Sequence, residues 1–156
     1  MKLDFSAAKK FKLDGKSLTI EKIYEISNAK PGEVFVQLTA ESLALMKKSR
    51  DYVNKIVEDG KPVYGINTGF GALSSKHIPK EDLSNLQYNL IRSHCTGVGE
   101  PFPTLTTRAI MVLRANCLAS GFSGVSIECV QLLLDFLNHG ITPVVPEKGS
   151  VGASGD

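Results

Sequence analysis

Gly149-Ser150-Val151-Gly152-Ala153-Ser154-Gly155-Asp156 are the last eight residues, and the reading given to them decides the fold expected of everything before them. By composition alone the octet is a Gly/Ser-rich turn. A phosphate-cradling loop would need a parent strand and a Lys-Ser/Thr pair, but no such pair follows and Val144-Val145-Pro146 makes a poor strand. A nucleophile elbow needs Gly-x-Ser-x-Gly, whereas Gly155 follows Ser154 directly. A third chemistry fits better. None of the twenty side chains is a useful electrophile, so an enzyme that draws electrons from an amino acid must borrow a cofactor or build one from its own backbone. Attack of the Gly155 amide nitrogen on the Ala153 carbonyl carbon would close a five-membered ring. Loss of two waters, one from the Ser154 side chain, would then leave an exocyclic methylidene. Gly155 offers an unhindered nitrogen and free backbone angles. Ala153 crowds the attacked carbonyl little, Ser154 alone carries a β-hydroxyl that can leave, and Asp156 would sit beside the ring.

Upstream of the octet, the two prolines of Ile141-Thr142-Pro143-Val144-Val145-Pro146 force extended geometry. Before that the apolar period is helical over most of the chain. One helix is expected from Thr39 with Leu43, Met46, Val53, Ile56 and Val57 along a stripe and Gly60 as the stop. A second follows Pro79, with Glu81 and Asp82 in its first turn, burying Leu83, Leu86, Leu90 and Ile91 before Gly97 and Gly99. Thr104 caps a third that runs through Ile110, Leu113, Cys117 and Leu118 to Gly121, and a fourth starts near Ser123 or Ser126 and carries Val130, Leu133, Leu134 and Leu137 to Gly140. The N-terminal part is mixed. Phe11-Lys12-Leu13 and Ser17-Leu18-Thr19-Ile20 read as two short extended pieces about an Asp14-Gly15-Lys16 turn. Thr19 caps a short helix through about Asn28 with Ile20, Ile23, Tyr24 and Ser27 along one side, and Val34, Val36 and Leu38 alternate as an edge strand. The expected fold is mainly α with a small β component, in one domain spanning residues 1–156.

The chain has 156 residues, 42% hydrophobic and 22% charged, which is ordinary for a soluble globular protein with a real core. A net charge of +2 leaves no basic footprint for nucleic acid, so small molecules and further copies of the chain are the expected partners. Cys95, Cys117 and Cys129 are odd in number and fall in helical segments, which argues against a disulfide framework and for a reducing, cytoplasmic setting. Met1-Lys2-Leu3-Asp4-Phe5 lacks an apolar signal region, and no apolar run approaches the ~18 residues of a membrane span.

Two side chains stand out as chemistry beyond the octet. Tyr64 opens Tyr64-Gly65-Ile66-Asn67-Thr68-Gly69-Phe70-Gly71, whose three glycines among aromatic and polar residues suit a mobile binding loop. Its plain reading is an aromatic anchor for that loop, and its functional reading is a base. A free tyrosine titrates near pH ~10, so a phenolate at neutral pH calls for a positive environment. His94 falls on the helical face of Leu83 and Leu90, where a lone histidine is usually a satisfied core residue. It also lies near the end of its helix, which lets the ring reach a cleft. Arg108 and Arg114 are six apart and share no face, so both read as solvated or paired with Asp/Glu.

Taken in order, the Tyr64–Gly71 stretch, Asn89-Leu90-Ile91-Arg92-Ser93-His94, Gly121-Phe122-Ser123-Gly124 and Pro146-Glu147-Lys148 with the octet resemble the aromatic amino acid ammonia-lyases. The Ser93-His94 pair looks most like the histidine-specific branch, because the phenylalanine enzymes resemble Phe-Leu there and many tyrosine enzymes His-Leu. The resemblance implies the N-terminal segment of a fumarase/aspartase-like helical fold, with the central helical bundle and the C-terminal part not represented. It also implies that Ala153-Ser154-Gly155 become a 4-methylidene-imidazol-5-one (MIO) prosthetic group supported by Asp156, without external cofactor or metal. By the same resemblance Tyr64 removes the β-proton of the substrate, His94 meets the substrate side chain with Ser93 beside it, and Gly71 lines the substrate site. The implied reaction is non-oxidative elimination of ammonia from L-histidine to give urocanate, in a homotetramer. Tyrosine or phenylalanine lyases, aminomutases, and a non-catalytic fragment able only to assemble are the alternatives.

Overall fold

The computed structural model describes residues 4–71 and 74–149. They form two compact units, the first from residues 1–50 and 101–145 and the second from 51–100 and 146–156. The chain is mainly helical with short strands, as expected.

The first unit opens with β1 (Lys9–Leu13), α1 (Ile20–Asn28) and β2 (Val34–Leu38), and β1 pairs with β2 in parallel, Phe11 opposite Val36 and Leu13 opposite Leu38. The second extended piece expected, Ser17-Leu18-Thr19-Ile20, is therefore not a strand partner of β1, and Ile20 already opens α1. Parallel strands need a crossover, and α1 supplies it. The turn itself is real, but it steers the chain away from β1. The Asp14 carboxylate accepts from the backbone N–H of Lys16 and Ser17 at 2.8 and 2.7 Å, and the Gly15 N–H donates to the Asn116 side chain. The bonds from Ser17 and Lys16 N–H hold the Asp14 pKa down at about 2. Thr19 caps α1 through the Lys22 N–H as the sequence indicates. The buried side of α1 is different, however: Ile26 and Ser27 are inside, whereas Ile20 and Tyr24 face solvent.

Helix α2 (Ala40–Asp59) begins behind Thr39, whose hydroxyl accepts from the Ser42 N–H, and its stop at Gly60 is as expected. In the first unit, α4 (Thr104–Ala119) packs on α1, β1 and α5 (Ile127–Asn138), and α5 packs on β2. Ser126 caps α5 by accepting from the Cys129 N–H. Thr104 is the first residue of α4 rather than its cap, because Pro103 takes that place. The face of α4 is also rotated from the expected one: Thr107, Arg108, Met111, Val112, Ala115, Leu118 and Ala119 are buried, while Ile110, Leu113 and Cys117 are exposed. Apolar residues surround this helix on every side, so periodicity alone does not select a face.

Arg108 is neither solvated nor paired with a carboxylate. It is buried, and its guanidinium donates from Nε to Ser27 O, from Nη2 to Ile26 O and from Nη1 to Leu137 O at 3.0–3.1 Å. These carbonyls lie in the last turns of α1 and α5, where helix dipoles present partial negative charge. A planar fork of five N–H donors meets that demand at two helix ends. Desolvation pulls its pKa below the ordinary value without removing the charge. A second buried polar contact involves Asn138, whose amide accepts from Val36 N–H at 2.8 Å and donates to Val36 O at 2.9 Å. The side chain thereby occupies the place that a neighbouring strand would take along β2.

In the second unit, Lys80–Asp82 form a single 3₁₀ turn before α3 (Leu83–His94). The expected burial of Leu83, Leu86, Leu90 and Ile91 is not seen: no residue of α3 is buried, and Ile91 is 62% exposed. Gly97 and Gly99 do more than end the helix. They belong to a close strand contact between β3 (Val98–Pro101) and β4 (Pro146–Lys148), which sequence reading left out. At Gly99, with φ of +94°, a Cβ would stand 3.0 Å from Glu147 Cγ, so glycine is needed for the approach. β4 leads to Gly149, the last residue described.

Among the described residues no helix is long and apolar enough to cross a membrane, and no cluster of His, Cys, Asp or Glu could hold a metal ion. The three cysteines are free thiols.

Candidate active site

The Tyr64 loop begins where α2 stops. Val63 O accepts from both Ile66 N–H and Asn67 N–H, closing a turn with Tyr64 and Gly65 at its tip. Gly65 has φ of +80°, which only glycine adopts without strain. The Asn67 side chain completes the turn from inside: Oδ1 accepts from Val63 N–H at 2.8 Å and Nδ2 donates to Lys61 O at 2.9 Å. Beyond it the chain folds back on itself. Ile78 N–H donates to Asn67 O and Gly69 N–H to Lys76 O, with Thr68 bridged antiparallel to His77. Asn67 and Thr68 are almost fully buried. The loop that composition assigned to mobility is thus a clasp with a hydrogen-bonded stem.

The Tyr64 phenol is 64% exposed, and its ring stands edge-on to Phe70 with centroids 6.0 Å apart. Tyr64, Gly71, Ser74 and Ser75 line an open pocket of about 470 Å³. Two of the residues singled out from the sequence, Tyr64 and Gly71, are therefore brought together. Ser74 and Ser75 join them without any signal in the sequence that could have selected them. Asn67 does carry a signal in the sequence, since an amide amid glycines is a common turn-closing group.

Ser93 and His94 end α3 and form a pair of their own. Ser93 Oγ donates to Leu90 O at 2.8 Å, and His94 Nδ1 lies 2.8 Å from the same carbonyl and 3.0 Å from Ser93 Oγ. A carbonyl oxygen can only accept, so Nδ1 carries the hydrogen in this contact. His94 is exposed here and is no core residue. Ala153, Ser154, Gly155 and Asp156 lie outside the described residues.

Both the sequence and the helical fold have counterparts among known proteins. The aromatic amino acid lyase family matches residues 18–156, and the chain belongs to that family. It is 49% identical over 148 residues to a histidine ammonia-lyase of Caldanaerobacter subterraneus subsp. tengcongensis, covering 95% of this chain and 28% of the relative. Among solved structures, the histidine ammonia-lyase of Trypanosoma cruzi superposes with a TM-score of 0.83 at 40% identity, over 92% of this chain and 27% of that one. The ergothioneine-degrading ergothionase of Treponema denticola superposes with a TM-score of 0.85 at 33% identity, over 92% and 28%. The chain therefore spans little more than a quarter of the length of these relatives.

Proposed function

We propose that this chain is the N-terminal part of an ammonia-lyase that eliminates ammonia from L-histidine to give urocanate. The observation that carries the reading is the Ser93-His94 pair. The bond from Nδ1–H to Leu90 O holds the orientation of an exposed imidazole at the end of α3, a group able to hydrogen-bond a polar substrate ring. An imidazole substrate can exchange a hydrogen bond with a histidine ring, whereas a phenyl ring cannot. Identity to histidine ammonia-lyases over nearly the whole chain supports the same substrate. Tyrosine is the second reading, because a histidine ring can also hydrogen-bond a phenol.

Ala153, Ser154 and Gly155 have the residue chemistry from which a methylidene-imidazolone forms, and Asp156 follows them. When formed, that group supplies the electrophile that turns the substrate amine, or its activated ring, into a route for ammonia to leave. Tyr64 takes the β-proton, a weakly acidic hydrogen that needs a positioned base. Gly71 leaves room beside the phenol within the same pocket. We infer a cytoplasmic homotetramer as the working species, with the Tyr64 loop contributed across a subunit interface. The exposed apolar side chains Tyr88, Ile91 and Val98 of the second unit support burial against further protein.

Assay of the complete enzyme against histidine, tyrosine and phenylalanine tests the substrate. Histidine is expected to give the highest kcat/KM, and a clear preference for tyrosine overturns the imidazole reading. Ring formation has its own readout, a mass deficit of ~36 Da for two waters. A full-mass protein of normal activity would sink the self-made electrophile.

A further inference from the structure

We propose that Asn67 is a positioning residue for Tyr64, fixing the base-bearing turn against the clasp that carries Gly71. This rests on the reading of Tyr64 as the base. Four hydrogen bonds meet at this residue. Its side chain closes Lys61 O and Val63 N–H on one side, and its own backbone joins Val63 O and Ile78 N–H. Tyr64 sits within the span that the amide closes, three residues before it. The Tyr64 ring is mostly exposed and its neighbour Phe70 touches it edge-on, so packing alone does little to hold the phenol. What fixes its origin is backbone, and the buried group that fixes the backbone is the Asn67 amide.

The geometry is demanding. Oδ1 must accept and Nδ2 must donate at once, which among side chains of this length only asparagine does. Aspartate keeps the acceptor for Val63 N–H but faces Lys61 O with a second acceptor. Alanine loses both bonds and leaves the turn to its main-chain contacts. A base that wanders by an ångström costs proton transfer far more than it costs binding. Asn67 thus acts through Tyr64 and is not itself placed against substrate.

The test uses the full-length enzyme with L-histidine and its β-deuterated form. Tyr64→Phe, Asn67→Ala and Asn67→Asp are compared in kcat, KM, primary isotope effect, mass and melting temperature. For Asn67→Ala the expectation is a kcat lower by roughly 10- to 100-fold, KM within about twofold, an unchanged mass deficit, and a raised isotope effect as proton removal becomes limiting. Asn67→Asp should fall between Asn67→Ala and wild type. A folded Asn67→Ala enzyme with wild-type kcat and isotope effect overturns the inference. So does a lower kcat without any change in isotope effect, since that is the mark of a merely structural role. If Asn67→Ala does not fold, Asn67→Asp decides on the same two readouts. Wild-type turnover in Tyr64→Phe would end the base reading and this inference with it. An inactive Tyr64→Phe beside an unimpaired Asn67→Ala removes the positioning role alone.

Discussion

In the unit formed by residues 1–50 and 101–145, the buried apolar cluster runs from Phe11 and Leu13 through Val36, Met46 and Val112 to Leu134 and Leu137, and every member of it belongs to that unit. In the unit formed by residues 51–100 and 146–156, the buried residues among those described are Asn67, Thr68 and Gly69, while Tyr88, Ile91 and Val98 are each more than 60% exposed. One unit is held by apolar burial and the other by hydrogen bonds around a loop. The packed core lies in the first unit, and the proposed site residues Tyr64, Gly71, Ser93 and His94 lie in the second, beside the exposed Tyr88, Ile91 and Val98.

The sharpest separation comes from Ser154. In the complete protein Ser154→Ala should abolish ammonia release while changing stability by no more than about 1 kcal/mol, because one hydroxyl leaves a glycine-rich stretch. Turnover assay and thermal melting read the two effects, and near-normal turnover would remove the prosthetic group from the account. In the first unit, Arg108→Met should cost about 3 kcal/mol or more, since Ile26 O, Ser27 O and Leu137 O lose their donors inside the protein. Leu134→Ala should cost about 2–5 kcal/mol by opening a cavity at a fully buried site. Urea unfolding of the 156-residue chain measures both. The same measurement on Ile91→Ser should show a change within about 0.5 kcal/mol. Equal losses at Leu134 and Ile91 would erase the contrast between the units.

The smallest effect belongs to Asp14. Its folded pKa of about 2 lies below the ordinary 3.8, so the stability it contributes is present above pH ~4 and is lost as pH falls through about 2. Titration of its carboxyl carbon by NMR should give a midpoint near 2, and Asp14→Asn should flatten the acid limb only slightly. A midpoint at the ordinary value would show that the Lys16 and Ser17 N–H bonds are not kept in solution.

Helix existence and the main stops were legible because caps and glycines are local signals: Thr19 and Ser126 cap as their residue types dictate, and Gly60 ends α2. Which side of a helix faces inward was less legible. On α4 the decision lies with a polar residue, Arg108, whose partners are carbonyls 81 and 82 positions away at Ser27 and Ile26. The parallel pairing of β1 with β2 and the β3–β4 contact are also non-local, and a turn motif such as Asp14-Gly15-Lys16 does not say which way the chain leaves it. At the site, the motif order marked Tyr64 and Gly71, which the fold does bring into one pocket. It could not mark Ser74 or Ser75, which reach that pocket through the clasp and carry no distinguishing pattern.

The Asn138 amide on the Val36 edge has a consequence in time. The two partners are 102 residues apart, so a ribosome adding ~5–20 residues each second delivers Asn138 roughly 5 to 20 seconds after Val36. Through that interval β2 presents an unpaired N–H and C=O to whatever nascent strand lies nearby. A translational pause between these two positions would lengthen the exposure, and a chaperone that shields extended segments early would shorten it.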